Sequence, residues 1–116
     1  MNQIYLIKDE KKDYCLFKIG FTRDLIGRVN SYAGYIPTFQ LVSAVSTMAK
    51  SKMKIEKAFH QEVEKLGYKF INARINFRKT EWFAVSYNDP FYNELNSKGL
   101  KAFATGKNRK EMLGWY

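Results

Sequence analysis

Two apolar segments near the N-terminus, separated by a short charged one, constrain the fold more than any other feature. Residues 3–7 (QIYLI) and Tyr14–Thr22 (YCLFKIGFT) each have the composition of a β-strand, and residues 8–13 between them are all charged. Strands this close in sequence, joined by a polar turn, form an antiparallel hairpin. The chain therefore begins with two paired strands, and the later segments must pack against them.

The later segments alternate between helical and strand patterns. Apolar spacing, capping residues and glycines predict six further elements, in order: a helix at 24–33 ended by Gly34, a strand at Phe39–Thr47, a helix at 51–66 capped by Ser51 and closed by Gly67, a basic aromatic strand or loop at 68–79, a strand at 80–85, and a helix at 89–104. This order is typical of a small α+β domain. No linker or repeat divides residues 1–104, and residues 105–116 are predicted to form a basic aromatic tail.

Charge limits the classes of partner. The 116 residues include 20 Lys and Arg against 11 Asp and Glu, a net charge of +9. The excess is concentrated in residues 50–80 and 97–116, which favours a docking face for a polyanion, nucleic acid first and an anionic membrane surface second. A basic protein without such a partner is the alternative.

Other classes are excluded by what the sequence lacks. A single cysteine, Cys15, excludes an intrachain disulfide and is typical of a reducing cytoplasm. No signal pattern or membrane-spanning apolar run is present, so we expect a cytoplasmic protein that does not insert into a membrane. One histidine and one cysteine cannot form a zinc finger, and no Gly-rich phosphate loop occurs.

Several polar side chains fall at positions where they could meet. If the first turn is roughly symmetric about Lys11, so that the numbers of opposing residues sum to 23, Tyr5 lies directly across from Lys18 on one face of the hairpin. A one-residue slip would place them on opposite faces. Arg28 and Tyr32 share a side of the first helix, and Glu56 flanks the apolar stripe of the second.

Together these groups are the types that phosphate hydrolysis requires. A carboxylate can hold Mg²⁺ or Mn²⁺, and an arginine can grip a phosphate at two oxygens. A lysine desolvated beside another cation has a lowered pKa and can accept a proton from water, while a tyrosine hydroxyl can position that water.

The order and spacing of these residues resemble the GIY-YIG endonuclease superfamily, and the KIG and TEWF segments resemble its phage-associated DNA-binding branch. The matching elements are Ile4-Tyr5, Ile19-Gly20, Arg28 followed by Tyr32, and Glu56. Two positions depart from the pattern. Gln3 replaces the first glycine, and Lys18 replaces a tyrosine often assigned as general base, although some restriction enzymes of the superfamily also carry lysine there.

The resemblance implies a small three-stranded antiparallel sheet flanked by helices, with an extra C-terminal strand, helix and tail, and a metal-dependent DNA endonuclease activity. In this scheme Lys18 or Tyr5 activates water, Arg28 holds the phosphodiester, Tyr32 supports them, and Glu56 holds one Mg²⁺ or Mn²⁺. The expected substrate is duplex DNA with weak sequence preference, and cutting both strands would need a homodimer or two encounters. The basic residues expected to follow the DNA backbone are Lys50, Lys52, Lys54, Lys57, Arg74, Arg78, Lys79, Lys107, Arg109 and Lys110.

Alternatives remain open at several positions. Lys18 could instead be an edge-strand lysine that blocks aggregation. Glu62 and Glu81 are alternatives to Glu56 as the metal ligand. His60 and Glu81 could also hold the catalytic residues in position without contacting the substrate themselves. At the level of function, the alternatives are a non-catalytic DNA-binding module on the same fold and a protein-interaction or inhibitor protein.

Overall fold

The computed structural model describes residues 2–48, 51–75 and 78–103, with the backbone alone for residues 72–75 and 78–81. Its elements, in chain order, are β1 (Asn2–Glu10), β2 (Tyr14–Thr22), α1 (Leu25–Tyr35), β3 (Phe39–Thr47), α2 (Lys52–Lys65), β4 (Phe70–Ile75), β5 (Arg78–Ser86), α3 (Pro90–Lys98) and a short 3-10 helix (Gly99–Ala102). The predicted α+β class is confirmed.

The sheet is antiparallel and has five strands in the order β3-β1-β2-β5-β4. The expected unit of β1, β2 and β3, with α1 between the second and third strands, is present, but the prediction that the sheet has only three strands is wrong. Because β1 pairs with one side of β2 only, the backbone groups along the other side of β2 need partners. Strand β5 supplies them, and β4 then pairs with the far side of β5.

The register of the first hairpin differs from the predicted one by two residues. Tyr5 lies opposite Gly20, and Lys18 lies opposite Ile7, so the prediction that Tyr5 and Lys18 oppose each other directly is wrong. Side chains alternate between faces with a period of two, so a shift of two residues leaves each on its original face. The prediction that Tyr5 and Lys18 share one face is therefore confirmed.

The shift arises because β1 continues through charged residues that were predicted to form the turn. Lys8 Nζ lies 2.9 Å from a Glu10 carboxylate oxygen and donates to the Asn96 side-chain oxygen at 2.8 Å. Asp9 is buried and forms an ion pair with Lys11 at 2.9 Å. Since these charges have partners, they are compatible with strand structure, and the turn is correspondingly shorter.

The two faces of the sheet carry different helices. One face packs on α2, α3 and the 3-10 helix, and its buried residues include Ile4, Leu6, Cys15, Phe17, Ile55, Phe59, Val63 and Leu95. The other face packs on α1, through Tyr5, Ile7, Tyr32 and Trp82. Burial of these apolar surfaces is the main stabilising contribution to the fold. Tyr5 and Tyr32 thus belong to the smaller of the two cores.

The start of α1 is fixed by Asp24, whose carboxylate accepts a hydrogen bond from the Gly27 backbone N–H at 3.0 Å. The prediction that Gly34 ends this helix is wrong, because α1 continues through Gly34 to Tyr35. Among the described residues, the glycines with a left-handed backbone are Gly67 and Gly99, so Gly34 has no conformation that would stop a helix.

The other helix ends follow the predicted signals more closely. The Ser51 side chain accepts a hydrogen bond from the Lys54 N–H at the start of α2, and Gly67, with φ of 90°, follows its end as predicted. The single helix predicted over 89–104 is wrong, because Gly99, with φ of 60°, separates α3 from the 3-10 helix. No helix within the described ranges is both long and apolar enough to span a bilayer.

Candidate functional site

The candidate residues lie at one end of the sheet, which we call the site end. Strand β1 begins there, and β2 and β3 end there, since Asn2 pairs with Thr47 and Gln3 pairs with Thr22. Because α1 follows β2 and α2 follows β3, both helices also begin at the site end. Helix starts carry a partial positive charge, so this end of the molecule suits an anionic group.

Tyr5 is the centre of the candidate site. It is 2% exposed, and its ring crosses the backbone of Gly20 on the neighbouring strand. A Cβ atom at residue 20 would lie 2.1 Å from Tyr5 Cζ, so only glycine fits there. The Tyr5 hydroxyl lies 3.3 Å from the Tyr32 hydroxyl, and one of the two donates to the other.

The groups that change the pKa of Tyr5 show which charged side chains lie near its hydroxyl. Burial is the largest cause that raises the pKa of Tyr5 far above its usual value, and Tyr32 adds to it by charge interaction and by the hydrogen bond. Arg28 lowers this pKa and Glu56 raises it. Both charged side chains therefore lie within electrostatic range of the Tyr5 hydroxyl, while Tyr32 is in direct contact with it. Tyr5 stays protonated at neutral pH, which argues against it as the general base.

Lys18 lies on the same face as Tyr5, two residues before Gly20, and is half-buried. Strand β2 lies between β1 and β5 in the sheet order, so it is not an edge strand over its whole length, and the edge-strand alternative for Lys18 stays a prediction. The ladder between β2 and β5 reaches Phe17, so Lys18 stands just beyond its last paired residue. Its position is compatible with the predicted role near the tyrosine pair, and that role stays a prediction.

Glu56 reaches the site from the second turn of α2. Its side chain is 34% exposed, and its carboxylate lies 3.9 Å from Lys52 Nζ. The competitor Glu62 lies nearer the end of α2 and pairs with Lys65 at 3.6 Å. The other competitor, Glu81, lies opposite Asn72 on the β4–β5 ladder, and its side chain is outside the described part of the structure.

The described residues contain no group of three or more His, Cys, Asp and Glu side chains arranged to hold a metal ion. The described residues therefore do not offer the four protein ligands that a structural zinc site needs. A lone carboxylate does suit Mg²⁺, which keeps several waters and commonly binds through one or two carboxylates together with substrate phosphates. Glu56 therefore fits the predicted ion as a single protein ligand.

A family model for the T5orf172 domain matches residues 2–96. The chain belongs to the T5orf172 domain family. No GIY-YIG family model matches, so the assignment to that superfamily is wrong. The assignment relied on the order and spacing of four short elements, two of which are two-letter motifs common in strands, and the sequence departed from the pattern at Gln3 and Lys18. Comparison with curated proteins and with solved structures gave no significant match.

T5orf172 proteins come from phages and bacteria and are associated with nuclease-type domains. The family therefore connects this chain with the nuclease and DNA-binding classes of function, without a specific reaction. The matched range includes every element from β1 through most of α3. The tyrosine pair, Arg28 and Glu56 all lie inside it.

The walls of the candidate site include aromatic residues that the sequence did not assign to it. The Tyr32 ring stacks on Phe39 with centroids 5.9 Å apart, and the Trp82 ring meets Tyr32 edge-on at 6.4 Å. Trp82 is 2% exposed. Sequence spacing could not place Trp82 here, because only the pairing of β5 with β2 brings it to the α1 face. His60, predicted as a supporting residue, stacks on Phe70 with centroids 4.3 Å apart.

The predicted DNA-contacting residues are only partly described. Lys52, Lys54 and Lys57 are exposed on α2, with 57% of the Lys52 side chain accessible. Arg74, Arg78 and Lys79 lie on the β4–β5 hairpin, where the backbone alone is described. Arg74 lies opposite Lys79 in the register of this ladder. Arg78 is the first residue of β5, and β5 runs away from the site end. Lys50, Lys107, Arg109 and Lys110 lie outside the described residues.

Proposed function

We propose that this T5orf172 domain binds DNA and hydrolyses a phosphodiester bond with the help of one divalent metal ion. The observation that carries the proposal is that Arg28 and Glu56, near the starts of α1 and α2, both lie within electrostatic range of the Tyr5 hydroxyl, which pairs with Tyr32. An arginine, a carboxylate and a neutral phenol at one end of a basic domain form a donor set for phosphate chemistry.

Arg28 is the group that binds the phosphate. It lies at the end of the first turn of α1, which the Asp24 cap holds at the site end, and it is half-buried. A guanidinium contacts two phosphate oxygens at once and offsets the negative charge that develops in the transition state. The nearby starts of α1 and α2 add to the positive potential.

Lys18 and Tyr5 act on the attacking water. Burial keeps Tyr5 protonated, so its hydroxyl orients water through a hydrogen bond and does not accept the proton. Lys18, on the same face, is the group assigned to accept it. Water then attacks phosphorus as its proton passes to Lys18, the bond to the 3′-oxygen breaks, and solvent water protonates the departing 3′-oxygen. The products are a 5′-phosphate and a 3′-hydroxyl.

Glu56 would hold the Mg²⁺ or Mn²⁺ ion, whose charge would neutralise part of the negative charge on the reacting phosphate. Its carboxylate is one-third exposed, which leaves room for water and phosphate oxygens beside it. Lys52, within 3.9 Å, limits the loss of solvation that an isolated carboxylate would suffer here.

A second candidate function is DNA binding without turnover. The observation that favours it is the burial of Tyr5, because a tyrosine that is only 2% exposed and whose hydroxyl bonds to Tyr32 is also what a purely structural role would show. In that case the same basic end would hold DNA through salt-sensitive phosphate contacts alone.

Incubation of the purified chain with supercoiled plasmid separates these functions. Nicking with Mg²⁺ or Mn²⁺ that stops with EDTA would support the hydrolase, and one catalytic centre should give nicked circles before linear DNA. Salt-sensitive binding without nicking would support the binding module. Neither nicking nor binding would contradict both and leave an interaction with another protein as the alternative.

A further inference from the structure

Helix α1, which carries Arg28, is held on the sheet by few of its side chains. Of its 11 residues, all of which the structure describes, Tyr32 alone is buried, with 7% of it exposed. Ile26 and Tyr35 are 77% and 53% exposed, and Leu25 packs against the same core only in part. The position of α1 on the sheet therefore depends mainly on the groups that surround the Tyr32 ring.

Three strands supply the rings around Tyr32. Phe39, the first residue of β3, stacks on it with centroids 5.9 Å apart, and Tyr5 of β1 lies tilted at 6.3 Å. Trp82 of β5 meets it edge-on at 6.4 Å, with an interplanar angle of 87°. Such edge-to-face contacts are directional, because the positive edge of one ring attracts the negative face of another. Since β3 and β5 lie on opposite sides of β1 and β2 in the sheet order, Phe39 and Trp82 confine the Tyr32 ring from two directions.

The Tyr32 ring connects Trp82 with two groups that the proposed reaction uses. Arg28 lies four residues before Tyr32, and residues four apart share a side of a helix. The Tyr32 hydroxyl lies 3.3 Å from that of Tyr5. A shift of the Tyr32 ring would therefore move Arg28 along with the helix and would also disturb the hydroxyl pair. A misplacement of about 1 Å at a reacting group can lower a rate by about 100-fold.

We propose that Trp82 is a positioning residue, which places Arg28 and the hydroxyl pair of Tyr5 and Tyr32 by holding the Tyr32 ring. Trp82 is 2% exposed, so it acts through Tyr32 and not by contact with DNA. Its effect on the rate rests on the proposed function. Its effect on the position of α1 does not, and the two effects can be measured separately.

Phe83 provides a matched control, because it is the next residue of β5 and belongs to the core on the opposite face. Both side chains are buried aromatic groups. The Phe83 ring lies 5.8 Å from that of Phe17 and 6.1 Å from that of Phe103, in the core that packs on α2 and α3. If Trp82 served only to fill its core, the loss of either ring would destabilise the domain without a selective effect on α1.

The test compares Trp82→Leu, Trp82→Phe and Phe83→Leu with the wild type. Leucine removes the aromatic edge, whereas phenylalanine keeps one and disturbs the fold less. Circular dichroism and urea unfolding define conditions under which each variant is folded. Backbone hydrogen exchange then compares α1 with α2 within each chain. Single-turnover nicking of supercoiled plasmid with Mg²⁺ gives the rate, and binding to a DNA duplex without metal gives the affinity.

In Trp82→Leu, we expect the amides of α1 to exchange about tenfold faster relative to those of α2. The nicking rate at saturating DNA should fall by about 100-fold, while the dissociation constant for DNA should change by less than about threefold. Trp82→Phe should recover most of the rate. Phe83→Leu should not loosen α1 relative to α2 and should nick at close to the wild-type rate.

A double variant tests whether Trp82 acts through the helix that carries Arg28. Arg28→Lys should lower the nicking rate much less in the Trp82→Leu background than in the wild type, because the arginine is already misplaced there. Losses that simply multiply would overturn the inference and leave the proposed function intact. An unchanged α1 in Trp82→Leu, or equal loosening of α1 in Phe83→Leu, would do the same.

Failure of the proposed function is distinguishable from failure of the inference. If the wild type binds DNA but does not nick it, the proposed hydrolysis is wrong and hydrogen exchange alone decides the role of Trp82. Selective loosening of α1 in Trp82→Leu would then support the inference, and its absence would overturn it.

Discussion

The ring of Tyr5 occupies the space where a side chain on Gly20 would begin. A Cβ atom at residue 20 would lie 2.1 Å from Tyr5 Cζ and 2.2 Å from its hydroxyl oxygen, far inside van der Waals contact. The two residues oppose each other across β1 and β2, so neither strand can shift to relieve the overlap without breaking its ladder. The glycine therefore fixes where the tyrosine hydroxyl points.

This contact predicts that Gly20→Ala destabilises the fold by about 1–3 kcal/mol, the usual cost of forcing extra volume into a packed core. In a Tyr5→Leu background the same substitution should cost less, and urea unfolding of the four chains gives the coupling energy. Gly34→Ala is the control, because no heavy atom lies within 4 Å of a Cβ there, and alanine in α1 should stabilise by up to about 1 kcal/mol. A neutral Gly20→Ala would contradict the contact.

The assignment of the metal ligand predicts different outcomes for two glutamates on α2. Glu56→Gln keeps the size of the side chain but removes the charge that a divalent cation needs, so nicking should stop while DNA binding persists. Glu62→Gln removes a carboxylate that pairs with Lys65 and should leave the nicking rate unchanged. If both variants nick at the wild-type rate, Glu56 is misassigned, and Glu81 becomes the next carboxylate to test.

The planar guanidinium of Arg28 should matter more than its charge. Arg28→Lys keeps the charge but loses the two-point contact with phosphate. The transition state for nicking should therefore lose about 2–4 kcal/mol of stabilisation, which lowers the nicking rate. DNA affinity should change much less. Arg23→Lys, an exposed position just before α1, is the matched control and should affect neither quantity. Equal losses in rate and affinity for Arg28→Lys would show that Arg28 only binds DNA.

The separate roles of Lys18 and Tyr5 should appear in the pH dependence of nicking. Lys18→Met removes the proposed base, so its rate deficit should shrink as pH rises and hydroxide replaces the lysine. Tyr5→Phe removes a hydroxyl that burial keeps protonated, so the rate should fall without a change in the shape of the pH profile. A deficit that is independent of pH for Lys18→Met would contradict its role as base. Circular dichroism melts check that each variant is folded.

Alkaline pH should destabilise the domain through its buried acids. Burial raises the pKa of the Cys15 thiol from 9.0 to about 12, so the folded state holds this proton more tightly than the unfolded state. The resulting stability is complete below about pH 9 and is lost as pH rises towards about 12. Burial likewise raises the pKa of Tyr5 and Tyr68 above the usual value of 10.0.

The free energy of unfolding in urea should therefore begin to fall near pH 9. In Cys15→Ala the free energy of unfolding should begin to fall closer to pH 10, because deprotonation of the tyrosines in the unfolded state is then the first effect. Since Cys15 is fully buried, its thiol should also resist alkylation in the folded wild type and react once urea unfolds it. Rapid alkylation of the native protein would contradict this burial.

Much of the fold and part of the site could be predicted from local signals. The first hairpin, the Ser51 cap, Gly67 at the end of α2 and the α+β class follow from patterns a few residues long, and each is present. The predicted shared face of Tyr5 and Lys18 also holds, because strand alternation tolerates a shift of two residues. The family assignment failed for the opposite reason, since two-letter motifs carry too little information to separate one family from another.

By itself, then, the sequence determined the type and order of most helices and strands and which side chains of the first hairpin share a face, because those properties depend on neighbours along the chain. Tertiary structure decided the hairpin register, the pairing of β5 with β2, and the crossing of Tyr5 over Gly20. It also separated Glu56, whose charge contributes to the raised pKa of Tyr5, from Glu62, which pairs with Lys65. These features depend on contacts between residues distant in sequence. The periodicity of one segment shows which of its faces is apolar, but it does not show which distant segment will pair with it or pack against it.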